Sequence, residues 1–175
     1  MRIALAMIVK GSLEESIFLD RCLKNIYPYV DGIFITSTYK KGDEPNNDVN
    51  LVCAKYKANV SYFQWKNDFA SARNYNFSKV TKDYDYILWL DSDDIVQNPE
   101  KIRPTIEENK DVDAFAFWYY YAFDKHNNPT VVHKKTQIVR NDNCVQWVGK
   151  LHEDFKENRG INAKFIEGIQ RIHLT

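Results

Sequence analysis

The sequence predicts an α/β domain with a mixed central sheet flanked by helices. Three observations lead there. Strand and helix signals alternate through the first half, the pattern of a parallel sheet covered by helices. Residues 86–90 form an unbroken apolar run, as a central strand buried on both faces requires. After Asp113 the period changes to long β-rich runs. A chain of 175 residues, 44% of them hydrophobic, suits one domain over residues 1–175 with a sizeable core.

Residues 3–9 read as the first strand, ended by Lys10. They are too short for a signal peptide's apolar region. Ser12 with Glu15 three residues on fits a capping box, and Ile17, Phe18, Cys22, Leu23 and Ile26 then line one helical face. Residues 32–37 give the second strand. Val49, Val52, Cys53 and Tyr56 stand at i, i+3, i+4 and i+7, so a second helix follows a polar loop. Strand three covers 60–65, a third helix 69–80 and the apolar fourth strand 86–90. Asn98 and Pro99 suit a helix start, asparagine capping and proline at the first helical position, for a helix to about Asn109. Residues 114–123 and 130–139, separated by His126-Asn127-Asn128-Pro129, read as a hairpin. Short strands around 144–148 and 164–172 complete the chain.

Composition narrows function. Lys plus Arg number 24 and Asp plus Glu number 24, so no field of one sign recruits nucleic acid, which is not an expected partner. Six glycines are about half of the ~7% in ordinary proteins, and neither glycine-rich phosphate motif occurs. A bound phosphate needs another holder. The three cysteines, Cys22, Cys53 and Cys144, lie far apart, so neither a disulfide framework nor a zinc site is expected and a reduced, cytoplasmic setting fits. No stretch approaches the ~20 apolar residues of a membrane span.

Four segments carry chemistry. Leu90-Asp91-Ser92-Asp93-Asp94 follows the apolar strand, where ligands of open α/β sheets collect. Carboxylates this close repel one another unless a cation offsets them, and all-oxygen ligands point to Mg²⁺ or Mn²⁺. The plainer alternative is a solvated acidic turn. Asp68-Phe69-Ala70-Ser71-Ala72-Arg73-Asn74 opens the third helix: Asp68 suits its N-terminus, and Arg73 has a planar fork for a diphosphate or a carboxylate. Here the alternative is an ordinary cap and a surface ion pair. Trp147-Val148-Gly149-Lys150-Leu151-His152-Glu153-Asp154 offers a general base. His173, at the end of the last strand, is by itself an ordinary surface histidine.

Taken in order, Met7-Ile8-Val9-Lys10, the Asp68–Asn74 helix, the Asp91–Asp94 turn, Trp147 through His152-Glu153 and the late His173 resemble the GT-A glycosyltransferases of family 2, over essentially the whole chain. The resemblance implies a Rossmann-like GT-A domain that moves a hexosyl unit from a nucleotide-diphosphate sugar to an acceptor hydroxyl with inversion. A UDP-sugar is the first expectation for the donor, and a glycan, lipid or protein for the acceptor. It further implies that Asp91 and Asp93, as the Asp-x-Asp pair, meet the ribose and a divalent Mn²⁺ or Mg²⁺ on the diphosphate. Arg73 and Asp68 then belong to the donor site, with Val9 and Thr36 at strand ends bordering the nucleobase. Glu153 is the expected catalytic base, and His173 completes the metal shell.

Two departures stand out. Thr36-Ser37-Thr38-Tyr39 replaces the family's Asp-x-Gly-Ser-x-Asp, removing the acid that reads a uracil edge, and Gly11-Ser12 replaces the usual Asn-Glu after strand one. The chain also ends two residues after His173, which suggests a catalytic domain cut from something longer. Two other readings compete: a sugar-nucleotide or glycan-binding domain of the same fold without turnover, and a haloacid-dehalogenase-like phosphatase with Asp91 as nucleophile. Against the latter, Ile95 stands where Thr or Val belongs, and the motif follows three other strands.

Overall fold

The computed structural model describes residues 1–45 and 47–174. Its chain order is β1 (Ile3–Lys10), α1 (Leu13–Ile26), β2 (Gly32–Tyr39), α2 (Asn47–Lys55), β3 (Asn59–Gln64), α3 (Phe69–Phe77), β4 (Tyr86–Trp89), β5 (Asp94–Gln97), α4 (Ile102–Glu108), β6 (Ala114–Phe123), β7 (Pro129–Arg140), β8 (Val145–Val148), β9 (Asp154–Glu157) and β10 (Ala163–His173). Eight strands form one sheet in the order β3-β2-β1-β4-β7-β6-β10-β5, and β8 pairs with β9 apart from it. The first four strands of that order are parallel. Beyond β4 the sheet turns mixed: β7 runs antiparallel to β4 and to β6, β10 is parallel to β6, and β5 closes the edge antiparallel to β10.

The alternation in β1 shows how the layers are built. Ile3, Leu5, Met7 and Val9 face Leu19, Cys22, Leu23 and Ile26 of α1 and Val49 and Cys53 of α2. Ala4 and Ala6 point the other way with Phe34, Val80, Tyr84 and Ile87. Their small side chains leave room for the α3 layer. Gly32 meets a similar constraint, since a Cβ there would collide with the Tyr84 ring. Ser12 caps α1 by accepting the Glu15 N–H. The box closes only halfway, because the Glu15 carboxylate instead accepts the Ser92 hydroxyl at 2.5 Å.

Several expectations are corrected. Asn98 does not cap a helix: it is left-handed (φ 58), its side chain donates to the Gly168 carbonyl, and a 3₁₀ turn at Pro99–Lys101 precedes a shorter α4. That helix has seven residues, with Pro104 in its first turn. On α1, Ile17 is 63% exposed and Leu19 takes the buried position. The third helix stops at Phe77. Two short strands, β5 and β9, were not foreseen; each begins at an aspartate and carries few apolar residues. All three cysteines are free and buried, and burial pushes the Cys53 thiol up to about 11 and the Cys144 thiol up to about 12.

Candidate active site at the carboxyl end of strand β4

The sheet order reverses between β1 and β4: from β1 the chain steps outward to β2 and β3, then returns through α3 to β4 on the other side. Such a switch point opens a crevice beyond the carboxyl strand ends. Leu90 ends the apolar run fully buried, and Asp91, Ser92, Asp93 and Asp94 form the turn that enters β5. The Asp94 carboxylate ties the turn back on itself by accepting the Asp91 N–H at 2.9 Å.

Asp91 is gripped on both oxygens. The Arg73 guanidinium donates to Oδ1 at 2.7 Å and that of Arg171 to Oδ2 at 2.5 Å. Burial pushes its carboxyl up, but these two arginines outweigh it and hold it well below the usual carboxylate range. Arg171 also donates through Nε to Asp94 at 2.6 Å and through NH1 to Gln137 at 3.0 Å. It is wholly buried, with its guanidinium 4.5 Å from the Trp89 ring centroid and 4.0 Å from that of Tyr119. Arg73 lies against Trp89 and Trp147, and its Nε donates to Glu153 at 2.6 Å.

A second group opens beside this network. His173 pairs with Asp94 across β10 and β5, and its Nδ1 stands 3.4 Å from Asp93 Oδ1 and 3.4 Å from Asp94 Oδ1. That is beyond a good N–H···O distance, and Nδ1 is buried without a hydrogen-bond partner among the described residues. Ligand atoms of Asp93, Asp94 and His173 lie within 4.8 Å of one another. Burial, then the like charge of Asp94, raises the Asp93 carboxyl. Contact with Asp94 raises the His173 imidazole against the opposing effect of burial. Asp91, Asp93, Asp94 and Glu153 set four carboxylates against the guanidinium groups of Arg73 and Arg171, with His173 a further cation whenever it is protonated. Hard carboxylate oxygens, an imidazole nitrogen lacking a close partner and more carboxylates than arginines fit a divalent cation such as Mn²⁺ or Mg²⁺.

Several sequence expectations meet a different environment. Asp91 does not join the His173 cluster, since its oxygens are spent on arginine, and Asp94 stands there in its place. Arg73 bridges Asp91 and Glu153. Asp68 takes the plainer role of N-cap, accepting the Ser71 N–H at 2.9 Å. The Val9 side chain is buried in the α1 core. Thr36 is fully buried too, its hydroxyl 2.8 Å from that of Ser61 and accepting from Asn76 at 2.9 Å. Glu153 does reach the Asp turn, through Arg73, although His152 beside it has a left-handed backbone (φ 53). Arg171, Gln137 and Tyr119 escaped the sequence reading. A usable signal existed, because Ile169, Arg171 and His173 share one side of a strand and Ile169 is core.

Among the described residues no helix is long and apolar enough to cross a membrane. The SPbeta prophage-derived glycosyltransferase SunS of Bacillus subtilis is 23% identical over 164 residues, covering 91% of this chain and 37% of SunS. A TPR repeat-containing protein of Synechococcus elongatus is 24% identical over 107 residues, 61% of this chain and 25% of that protein. The chain therefore spans well under half the length of these curated relatives. Among solved structures, S. aureus TarS 1–349 in complex with UDP has a TM-score of 0.57 at 11% identity, covering 95% of this chain and 61% of that one. The 4-diphosphocytidyl-2C-methyl-D-erythritol synthase of Anaerococcus prevotii reaches 0.59 at 12% identity, covering 95% and 86%. These likenesses establish the fold, a GT-A type α/β architecture.

The sequence model described as Glycosyl transferase family 2 matches residues 31–169. The stretch holds the Asp68 helix, the Asp91–Asp94 turn and Glu153, and ends before Arg171 and His173. It leaves no place for the phosphatase reading. Because the match runs over most of the chain, this protein belongs to glycosyl transferase family 2.

Proposed function

We propose that this domain transfers a sugar from a nucleotide-diphosphate donor to an acceptor hydroxyl with inversion, using a divalent ion at Asp93, Asp94 and His173. The observation that carries the reading is the cluster of Asp93, Asp94 and His173 at the switch point, where carboxylates outnumber arginines and an imidazole nitrogen lacks a close partner. A bound Mn²⁺ or Mg²⁺ supplies charge neutralisation to a diphosphate leaving group. Arg171 holds Asp91 and Asp94 in place. Arg73 sits where an arriving diphosphate competes with Asp91 and Glu153 for its guanidinium. Released from Arg73, the Glu153 carboxylate takes the acceptor hydroxyl proton as general base. A UDP-sugar is the first donor to test, in keeping with the UDP complex of TarS, and a hexosyl unit the first sugar. The acceptor is a hydroxyl on a glycan, lipid or protein, and the setting is cytoplasmic.

The first test is thermal. Saturation a hundredfold above Kd stabilises by about 2.7 kcal/mol, roughly 5–10 °C for a chain of this size. Mn²⁺ with UDP is expected to raise Tm by that order, and Asp93→Ala to abolish the shift. No shift with UDP, GDP, TDP or CDP, with or without Mn²⁺, refutes the donor site.

One observation favours a second reading, a sugar-nucleotide-binding domain without turnover: Glu153 is engaged by Arg73 at 2.6 Å. Donor hydrolysis or transfer that falls by a factor of about 10²–10⁴ in Glu153→Gln supports the enzyme. Binding without turnover, indifferent to that substitution, supports the binding domain.

A further inference from the structure

We propose that Tyr121 is a positioning residue for His173: its ring fixes the imidazole in the plane that aims Nδ1 at Asp93 and Asp94. The inference rests on the metal-dependent reading above.

The main chain of His173 is pinned on both sides. It pairs with Asp94 across the strands, the Leu174 N–H donates to the Asp93 carbonyl at 2.9 Å, and Arg21 donates to the Leu174 carbonyl at 3.1 Å. What stays free is the side-chain torsion. Metal-ligating histidines are ordinarily oriented by a hydrogen bond from the second ring nitrogen to a carboxylate or carbonyl. Among the described residues no such bond holds this imidazole.

Rings hold it instead. Tyr121 lies nearly parallel to His173, with centroids 4.9 Å apart and planes at 13°. Tyr119 meets the same imidazole edge-on at 6.4 Å and 88° while its hydroxyl donates to Asp94 Oδ1 at 3.3 Å. Tyr119 is thus bound into the carboxylate network. Tyr121 is 49% exposed, and no hydrogen bond of its hydroxyl occurs among the described residues, so it contributes its ring. A position so open in a ten-residue strand tolerates substitution with little loss of fold.

The experiment is Mn²⁺ binding by electron paramagnetic resonance, with Tm measured on the metal-free proteins. Aromatic pairs contribute enough for a change of about three- to tenfold in affinity. Tyr121→Ala is expected to weaken Mn²⁺ binding by that factor while the metal-free Tm falls by only a few degrees. Tyr121→Phe, which keeps the ring, is expected to bind as the wild type does. Equal binding by wild type and Tyr121→Ala overturns the inference and leaves the metal site standing. Loss in Tyr121→Phe equal to that in Tyr121→Ala also overturns it, since the hydroxyl and not the stack then matters. A wild type that binds no Mn²⁺ removes the metal reading and this inference with it.

Discussion

Two clusters in this molecule have the same core, one aspartate held by two arginines, and opposite surroundings. At the switch point Asp91 lies between Arg73 and Arg171, whose side chains are 5% and 0% exposed. At the start of β6, Asp113 accepts from Arg140 at 3.0 Å and Arg159 at 3.0 Å, and those side chains are 29% and 42% exposed. The outer cluster is balanced, because Asp142 joins it on Arg159 and makes two acids against two arginines. The inner one sets four acids against two arginines, with His173 beside Asp93 and Asp94.

The comparison breaks first if the two arginines prove equivalent. Removing one partner of a buried pair costs about 3–5 kcal/mol, while an exposed pair is worth about 1 kcal/mol or less. Arg171→Met is therefore expected to lower stability by the larger amount and Arg159→Met by the smaller, as measured by urea unfolding. Equal losses refute the distinction.

A second test uses pH at the outer cluster. The bond from Arg159, with those from the Asn162 N–H and Arg140, holds the Asp113 carboxyl well below the usual range. A depressed acid contributes stability above its unfolded pKa, near 3.9, and loses it as pH falls through the folded value. Asp113→Asn is expected to cost about 1–2 kcal/mol at pH 7 and progressively less below pH ~4. A penalty independent of pH would mean that packing, not charge, is what Asp113 supplies.

The smallest effect has the opposite sign. Burial and the Asp94 charge raise the Asp93 carboxyl, so its ionised form opposes folding. Its stabilising contribution is full below the unfolded pKa and is lost as pH rises through the folded one. Metal-free Asp93→Asn is thus expected to gain about 0.5–1 kcal/mol at pH 7, visible as a higher Tm, and to lose Mn²⁺ binding. A lower metal-free Tm would show that Asp93 is structurally required and not merely held for a cation.

Local rules reach part of the way to these clusters. Alternation in β1, the apolar β4 run, the Ser12 and Asp68 caps and the acid turn are legible because each depends on neighbours within a few residues. Asn98 failed because asparagine suits both a helix cap and a left-handed turn. Arg171 was invisible as a partner, since its bonds to Asp91 and Asp94 span about eighty positions.

The amino-acid sequence alone determined the α/β class, the parallel first half and an acidic turn at the end of a buried strand, because periodicity and burial preference are written along the chain. Tertiary structure alone decided that Asp91 meets arginine, Asp93 meets His173 and Asp94 meets both. That partition depends on β10 folding back between β6 and β5, which sets Arg171 opposite Val96 and His173 opposite Asp94. Charge balance is a sum over neighbours in space, and the spacing of residues along a chain does not contain it.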